Sequence, residues 1–243
     1  MSELAIKLLS DAGSDALDDE GVRETYRRRG YLCLTGALSA AACREVIESL
    51  RGASMIDVRS QDLRGNSRFL TLNGGDLVSR VQWLRDDYLN LARKVSQVVG
   101  EPVVGLDNEK VGLSLNYTPP GGGFVPHFDR NAYTVSLYLN DVDDGELAIW
   151  PNIVSPLLDL AGDRKLGIAL RLSRFKRAIS IPPRQGTLVI FSRRTVHSVK
   201  PVTGDKSRVS VIMAFDRPGV SFREVPDYYG IGHDRVVLDE LVV

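Results

Sequence analysis

The chain has 243 residues, with 31 basic and 31 acidic side chains and a charged fraction of 26%. That balance gives no electrostatic footprint for nucleic acid or an anionic membrane surface, and the length suits one domain, 1–243, with a sizeable core. Cys33 and Cys43 are too few for a disulfide framework and read as small buried hydrophobes. No apolar run approaches a membrane span, and the first residues lack the basic start and cleavage site of a signal peptide. The expected setting is soluble, reducing and cytoplasmic.

Residues 1–20 are acidic and weakly patterned, and are expected to fray. Residues 18–30 read as a helix, with Asp18, Asp19 and Glu20 at its start, Arg27, Arg28 and Arg29 near its end, and Gly30 as a stop. A short strand over 31–35 follows. Ser39 can cap a helix running to Arg51, with Ala42, Val46, Ile47 and Leu50 as its apolar stripe. The polar, Gly-punctuated stretch 59–73 reads as loop. Over 76–99, Leu77, Val81, Leu84, Tyr88, Leu91 and Val95 recur at helical spacing until Gly100. Residues 21–100 are thus expected to be a helical support covering one outer face of a sheet.

From Val103 the pattern changes to short strands and turns. Roughly eight strand-like runs over 101–220 suggest a jelly roll of two facing sheets, followed by a tail over 221–243. The fold class expected is mainly β with flanking helices. The segment 150–180 does not fit the core. Within it Leu166, Ile168, Leu170 and Leu172 alternate like a strand, and a segment of this kind serves either as a lid over a site or as cover for an edge strand.

His127 and Asp129, at the start of a strand-like run, are separated by one residue. In an extended chain they share a face, so an imidazole and a carboxylate can aim at one point while Phe128 packs behind. A third ligand comes from His197, which closes a second strand-like run after the turn around Pro182, Pro183 and Gly186. His233, in a polar tail, is the poorer candidate. Two His and one carboxylate with other positions open is the facial triad of non-haem Fe(II) oxygenases. Beyond His197, alternation puts Arg208, Ser210, Ile212 and Ala214 on one face. A cation there is costly unless it meets an anion, and its planar fork suits a carboxylate.

His127, Asp129, His197, Arg208 and Ser210 together resemble the iron and co-substrate motif of the Fe(II)- and 2-oxoglutarate-dependent dioxygenases. Over 111–216 the chain is most similar to their prolyl 4-hydroxylase-like branch. Further points of similarity are Tyr117 ahead of Gly121, Gly122 and Gly123, the strand 134–141, and the turn before Thr187. It departs from that branch in having Arg208 where Lys is usual, and Asp144, Gly145 and Glu146 where a Gly-Gly pair is usual. The resemblance implies a double-stranded β-helix, with Fe(II) on His127, Asp129 and His197. It also implies 2-oxoglutarate held by Arg208, Ser210 and Tyr117, consumption of O2, and ascorbate as a candidate stimulant. The implied reaction is hydroxylation of an unactivated C–H bond of a small molecule, such as an amino acid or natural-product intermediate, with release of succinate and CO2.

Desaturation, epimerisation and ring closure use the same triad, whereas Asp129 fills the site that related halogenases leave open for chloride. A cupin-like zinc or manganese hydrolase or isomerase would use the same two histidines and aspartate, with Arg208 on the substrate, whereas a non-enzymatic jelly-roll binding module would have no need of an inward Arg beyond a metal triad. For the primary substrate, Arg130, Trp150, Arg171 and Arg174, with Lys176 and Arg177, suggest an anionic group under a lid; the alternative is a solvated basic face.

Overall fold

The computed structural model describes residues 20–62, 65–106, 108–151, 176–220, 234–238 and 241–243. Residues 1–19, most of the 150–180 segment with Arg171 and Arg174, and the part of the tail that contains His233 lie outside the described residues.

Helix α1 (Glu20–Arg29) has Glu20 in its first turn and Arg27, Arg28 and Arg29 in its last, the order that favours a helix dipole. Strand β1 (Tyr31–Leu34) leads into α2 (Ala40–Glu48), where the Ser39 side chain accepts a hydrogen bond from Ala42 N. Ala42, Val46, Ile47 and Leu50 are all buried, as the stripe requires. The 76–99 run is two helices, α3 (Gly74–Arg80), capped by Asn73, and α4 (Trp83–Val99), stopped by Gly100 at φ 79°. Val81 leaves helical space at φ −134° and ψ 81°, so the apolar stripe turns a corner while Leu77, Val81, Leu84 and Leu91 stay buried.

Residues 59–73 are not loop. They complete an antiparallel hairpin of β2 (Ala53–Asp62) and β3 (Gly65–Asn73), so the region 21–100 contributes strands as well as helical support. Polarity averaged along the stretch hides its alternation: Val58 and Phe69 are register partners and buried, and the next pair, Arg59 and Arg68, is exposed.

The remaining elements are β4 (Val104–Gly105), α5 (Glu109–Gly112), β5 (Leu113–Thr118), β6 (Phe124–His127), β7 (Tyr133–Tyr138), β8 (Leu147–Trp150), β9 (Ile179–Ile181), β10 (Leu188–Ser192), β11 (Val196–Val199), β12 (Arg208–Asp216) and β13 (Arg235–Leu238). A nine-stranded sheet runs β1-β10-β7-β12-β5-β3-β2-β13, with β4 added beside β12, and a four-stranded sheet runs β6-β11-β8-β9. The pairings are antiparallel. This is the jelly-roll, double-stranded β-helix arrangement that the sequence suggests.

Strand β10 shows how the layers are built. Leu188 and Ile190 join a large apolar cluster with α2, α4 and the outer faces of β5, β7 and β12. Val189 and Phe191 point the other way, into a smaller cluster between the sheets with Leu147, Ile149 and Val199. Cys43 is buried in the large cluster, but Cys33, on the edge strand β1, is exposed, contrary to the expectation for both cysteines. Among the described residues no helix is long and apolar enough to cross a membrane.

Candidate functional site

His127 closes β6 and His197 lies in β11, and the two are direct register partners. Their rings stand 4.1 Å apart between centroids. Asp129 follows two residues after His127, and its Oδ1 is 3.7 Å from His127 Nε2 and 3.5 Å from His197 Nε2. One ligand atom from each of the three lies within 4.8 Å of the others, close enough to share one ion.

Each imidazole is oriented from behind. His127 Nδ1 is 2.8 Å from Val125 O, and His197 Nδ1 is 3.2 Å from Thr195 O. A carbonyl only accepts, so each Nδ1 carries the proton and each Nε2 offers its lone pair towards Asp129. Backbone partners of this kind fix ring orientation at metal sites. The Thr134 hydroxyl donates to Asp129 Oδ2, and Asn131 Nδ2 donates to Thr134 Oγ1 at 3.0 Å. Burial pushes the Asp129 carboxyl up, but the positive charge that His197 and His127 carry when protonated, with the Thr134 hydrogen bond, outweighs it and holds the group below the usual carboxylate range. Aromatic rings complete the surround. Phe191 lies 4.7 Å from the His197 ring, and Phe124, stacked on Phe69 of the hairpin at 3.7 Å, lies 5.8 Å from that of His127.

The inner face of the main sheet supplies the other end of the site. Arg208 pairs in register with Thr118, and Ser210 with Asn116 on one side and Tyr138 on the other. Arg208 is only 2% exposed, its Nη1 donates to Ser210 Oγ at 3.2 Å, and its Cζ sits 4.9 Å from the Tyr138 ring centre. Arg208, the triad, Asn116 and Ser136 line one cavity of about 80 Å³. Arg208 Nε, Ser136 Oγ and Asn116 Oδ1 are buried there without a well-formed hydrogen bond; the buried Tyr138 hydroxyl, near Arg208 and Ser136, is outside the cavity lining. Burial pushes the Tyr138 hydroxyl up, although the Arg208 charge opposes it, so the group stays a proton donor. A buried guanidinium with an unused donor, beside a phenol and two small polar groups, has the chemistry of a carboxylate cradle. The donor set therefore fits a divalent ion at one end of the cavity and an anionic co-substrate at the other.

Tyr117 is elsewhere. It sits on the outer face of β5 in the helix-backed cluster, and its hydroxyl accepts from Val242 N at 3.4 Å, away from the cavity that Asn116 lines. Sequence reasoning does not single out Tyr138, whose strand the alternation identifies but whose register against Ser210, beside Arg208, it does not. Arg130 is exposed, and so are Lys176 and Arg177. Trp150 is half-buried at the end of β8, where its Nε1 donates to Lys176 O at 2.8 Å; it does not line the cavity. The glycine-rich turn has a steric reason: a Cβ on Gly122 would lie 2.6 Å from Arg68 O, and one on Gly123 would lie 2.9 Å from Val199 O. Only glycine lets that turn pass between the hairpin and β11.

Two histidines and a carboxylate converging on the interior of a double-stranded β-helix, with a buried arginine beyond them, are a donor set that suits a non-haem metal site. Residues 113–216 match the family model of the 2OG-Fe(II) oxygenase superfamily. Members of that family use Fe(II), 2-oxoglutarate and O2. Among solved structures, the chain is similar to the non-haem α-ketoglutarate-dependent epimerase SnoN from nogalamycin biosynthesis, with 22% identity and a TM-score of 0.61 over 84% of this chain and 83% of that one. The carbocyclase SnoK from the same biosynthesis gives 20% identity and a TM-score of 0.62 over 83% and 88%. A prolyl hydroxylase from Trichoplax adhaerens gives 18% and 0.54 over 80% and 87%. At these identities the likeness is one of fold. No curated protein matches the chain.

Proposed function

We propose that the protein is an Fe(II)- and 2-oxoglutarate-dependent oxygenase that oxidises a C–H bond of a small molecule, hydroxylation being the reaction its site supports most directly. The observation that carries the reading is the cavity shared by the triad and Arg208. In this reading His127 Nε2, His197 Nε2 and the Asp129 carboxylate hold the metal. When bound, Fe(II) with 2-oxoglutarate and O2 supplies oxidative decarboxylation to succinate and CO2, coupled to attack on the substrate C–H bond.

The protein's own part is orientation. Val125 O and Thr195 O keep both imidazoles in the ligating tautomer, and Thr134 fixes one oxygen of Asp129 so that the other faces the histidines. Arg208 and Ser210, with Tyr138 in the role that the family resemblance assigns to Tyr117, take the distal carboxylate of 2-oxoglutarate. Phe124 and Phe191 exclude water from the ligand side. An amino acid or natural-product intermediate is the substrate class we favour, in a cytoplasmic setting with ascorbate as a stimulant. Epimerisation, as in the epimerase SnoN, or ring closure, as in the carbocyclase SnoK, would use the same residues.

Anaerobic titration with Fe(II) and 2-oxoglutarate tests the reading. A visible metal-to-co-substrate charge-transfer band that needs both components is expected, followed by succinate on admission of O2. Tight zinc binding with no band and no succinate would instead favour the hydrolase or isomerase reading.

A further inference from the structure

A second cleft, of about 500 Å³, shares none of its lining residues with the cavity of the triad. Its walls come from α1, the C-terminal end of α4, the residues that open β7, the turn from β10 to β11, and the residue that follows β12. Arg23, Arg27, Arg193, Arg194 and Arg217 all line it, in a chain whose basic and acidic residues balance at 31 each over the whole sequence. Among the lining residues the one carboxylate is Glu101, whose Oε1 already accepts from Tyr133 Oη at 2.6 Å and Arg217 Nε at 2.9 Å. Arg27 is bound to Glu24 on its own helix. Arg23 Nε is buried with no hydrogen-bond partner.

Every cation in this lining is an arginine. Planar forks of this kind match the oxygens of a phosphate two at a time, which an ammonium does not do. Tyr26 and Tyr133 stand among them, and burial pushes both hydroxyls up, so they serve as donors and add no negative charge. The volume is far beyond that of an inorganic ion and lies within the usual range for organic ligands. We propose that this cleft is a second binding site, for a molecule that carries a phosphate or diphosphate group.

The cleft also adjoins the metal centre through the chain itself. Ala132 and Tyr133 form part of its wall, Arg193 N donates to Ala132 O at 2.9 Å, and the next residue, Thr134, holds Asp129. The phosphate belongs either to one end of the primary substrate or to a separate effector, and both sources present the same chemistry to the arginines.

The probe is inorganic pyrophosphate, titrated calorimetrically into the metal-free protein without 2-oxoglutarate, so the result does not depend on the proposed oxygenase activity. Saturable binding is expected. It should weaken about tenfold or more in Arg23→Gln/Arg194→Gln and persist in both His127→Ala and Arg184→Gln, the latter an exposed arginine outside the cleft. No saturable binding, or equal weakening by Arg184→Gln, would overturn the site. Citrate bound in preference to pyrophosphate would overturn the phosphate assignment. A substrate screen by succinate release, using matched compounds with and without a phosphate, then separates the sources. Turnover of the phosphorylated member alone, lost in the double variant, marks a substrate handle. Turnover of both members, with a rate changed by added pyrophosphate, marks an effector.

Discussion

The two faces of β5, β7 and β12 do opposite work with the same backbone. Outward, Leu113, Leu115, Val135, Leu137, Val209, Val211 and Met213 pack against the helices with almost no exposure. Inward, Ser114, Asn116, Ser136, Arg208 and Ile212 line the cavity, and several polar atoms there lack partners. The outer face stores stability, and the inner face keeps binding capacity at a cost to stability. Because side chains alternate strictly along a strand, neighbouring residues such as Asn116 and Tyr117, or Leu137 and Tyr138, belong to different jobs. Substitutions one position apart should therefore separate function from folding.

The largest effects should come from the ligand end. His127→Ala, Asp129→Ala and His197→Ala should each abolish succinate formation while circular dichroism shows an intact fold; a variant with normal succinate yield would remove that residue from the triad. On the outer face, Leu137→Ala should destabilise by about 2–5 kcal/mol in a denaturant titration, the usual result for a buried leucine. The 2-oxoglutarate affinity of its folded fraction should be unchanged. Arg208→Ala should weaken 2-oxoglutarate by about 2–5 kcal/mol, as expected when a buried charge loses its partner. Arg208→Lys should fall between, since it keeps the charge and loses the fork.

Tyr138→Phe should cost about 0.5–1.5 kcal/mol of 2-oxoglutarate affinity, one hydrogen bond, and leave the melting temperature level or slightly higher, because it deletes a buried hydroxyl without a well-formed bond. The smallest effect is expected for Tyr117→Phe: no change in 2-oxoglutarate affinity, and stability altered by less than about 1 kcal/mol through the long bond from Val242 N. If Tyr117→Phe lost affinity and Tyr138→Phe did not, the division between the faces would fail at that layer.

The ligand end is legible in the sequence because its signals are local or limited by count. His127 and Asp129 share a face by period two, and the chain has only three histidines. Arg208 is legible because a guanidinium in an apolar alternating run requires an anion. The placement of Tyr117 fails for a reason no single strand reveals: β5 pairs with β12 so that Tyr117 meets Val209 while Thr118 meets Arg208. Register between strands distant in sequence decides which face a side chain joins, and a shift of one residue reverses it. The hairpin of β2 and β3 is hidden by composition, since Arg59 and Arg68 sit opposite one another on its exposed side. Its Phe69, stacked on Phe124, which in turn lies against His127, ties that hidden hairpin to the candidate ligand group.

The facing of His127 and His197 across two neighbouring strands also orders events in the life of the chain. The histidines are distant in sequence and meet only when β6 pairs with β11. Such long-range pairing forms late, after the entropy of closing the intervening chain has been overcome. A nascent or unfolded chain therefore presents His127 with Asp129 but no third ligand, a poor trap for any metal. Selection among the ions of the cell falls to the finished barrel, whose geometry decides what is admitted, rather than to whichever ion first meets the emerging polypeptide.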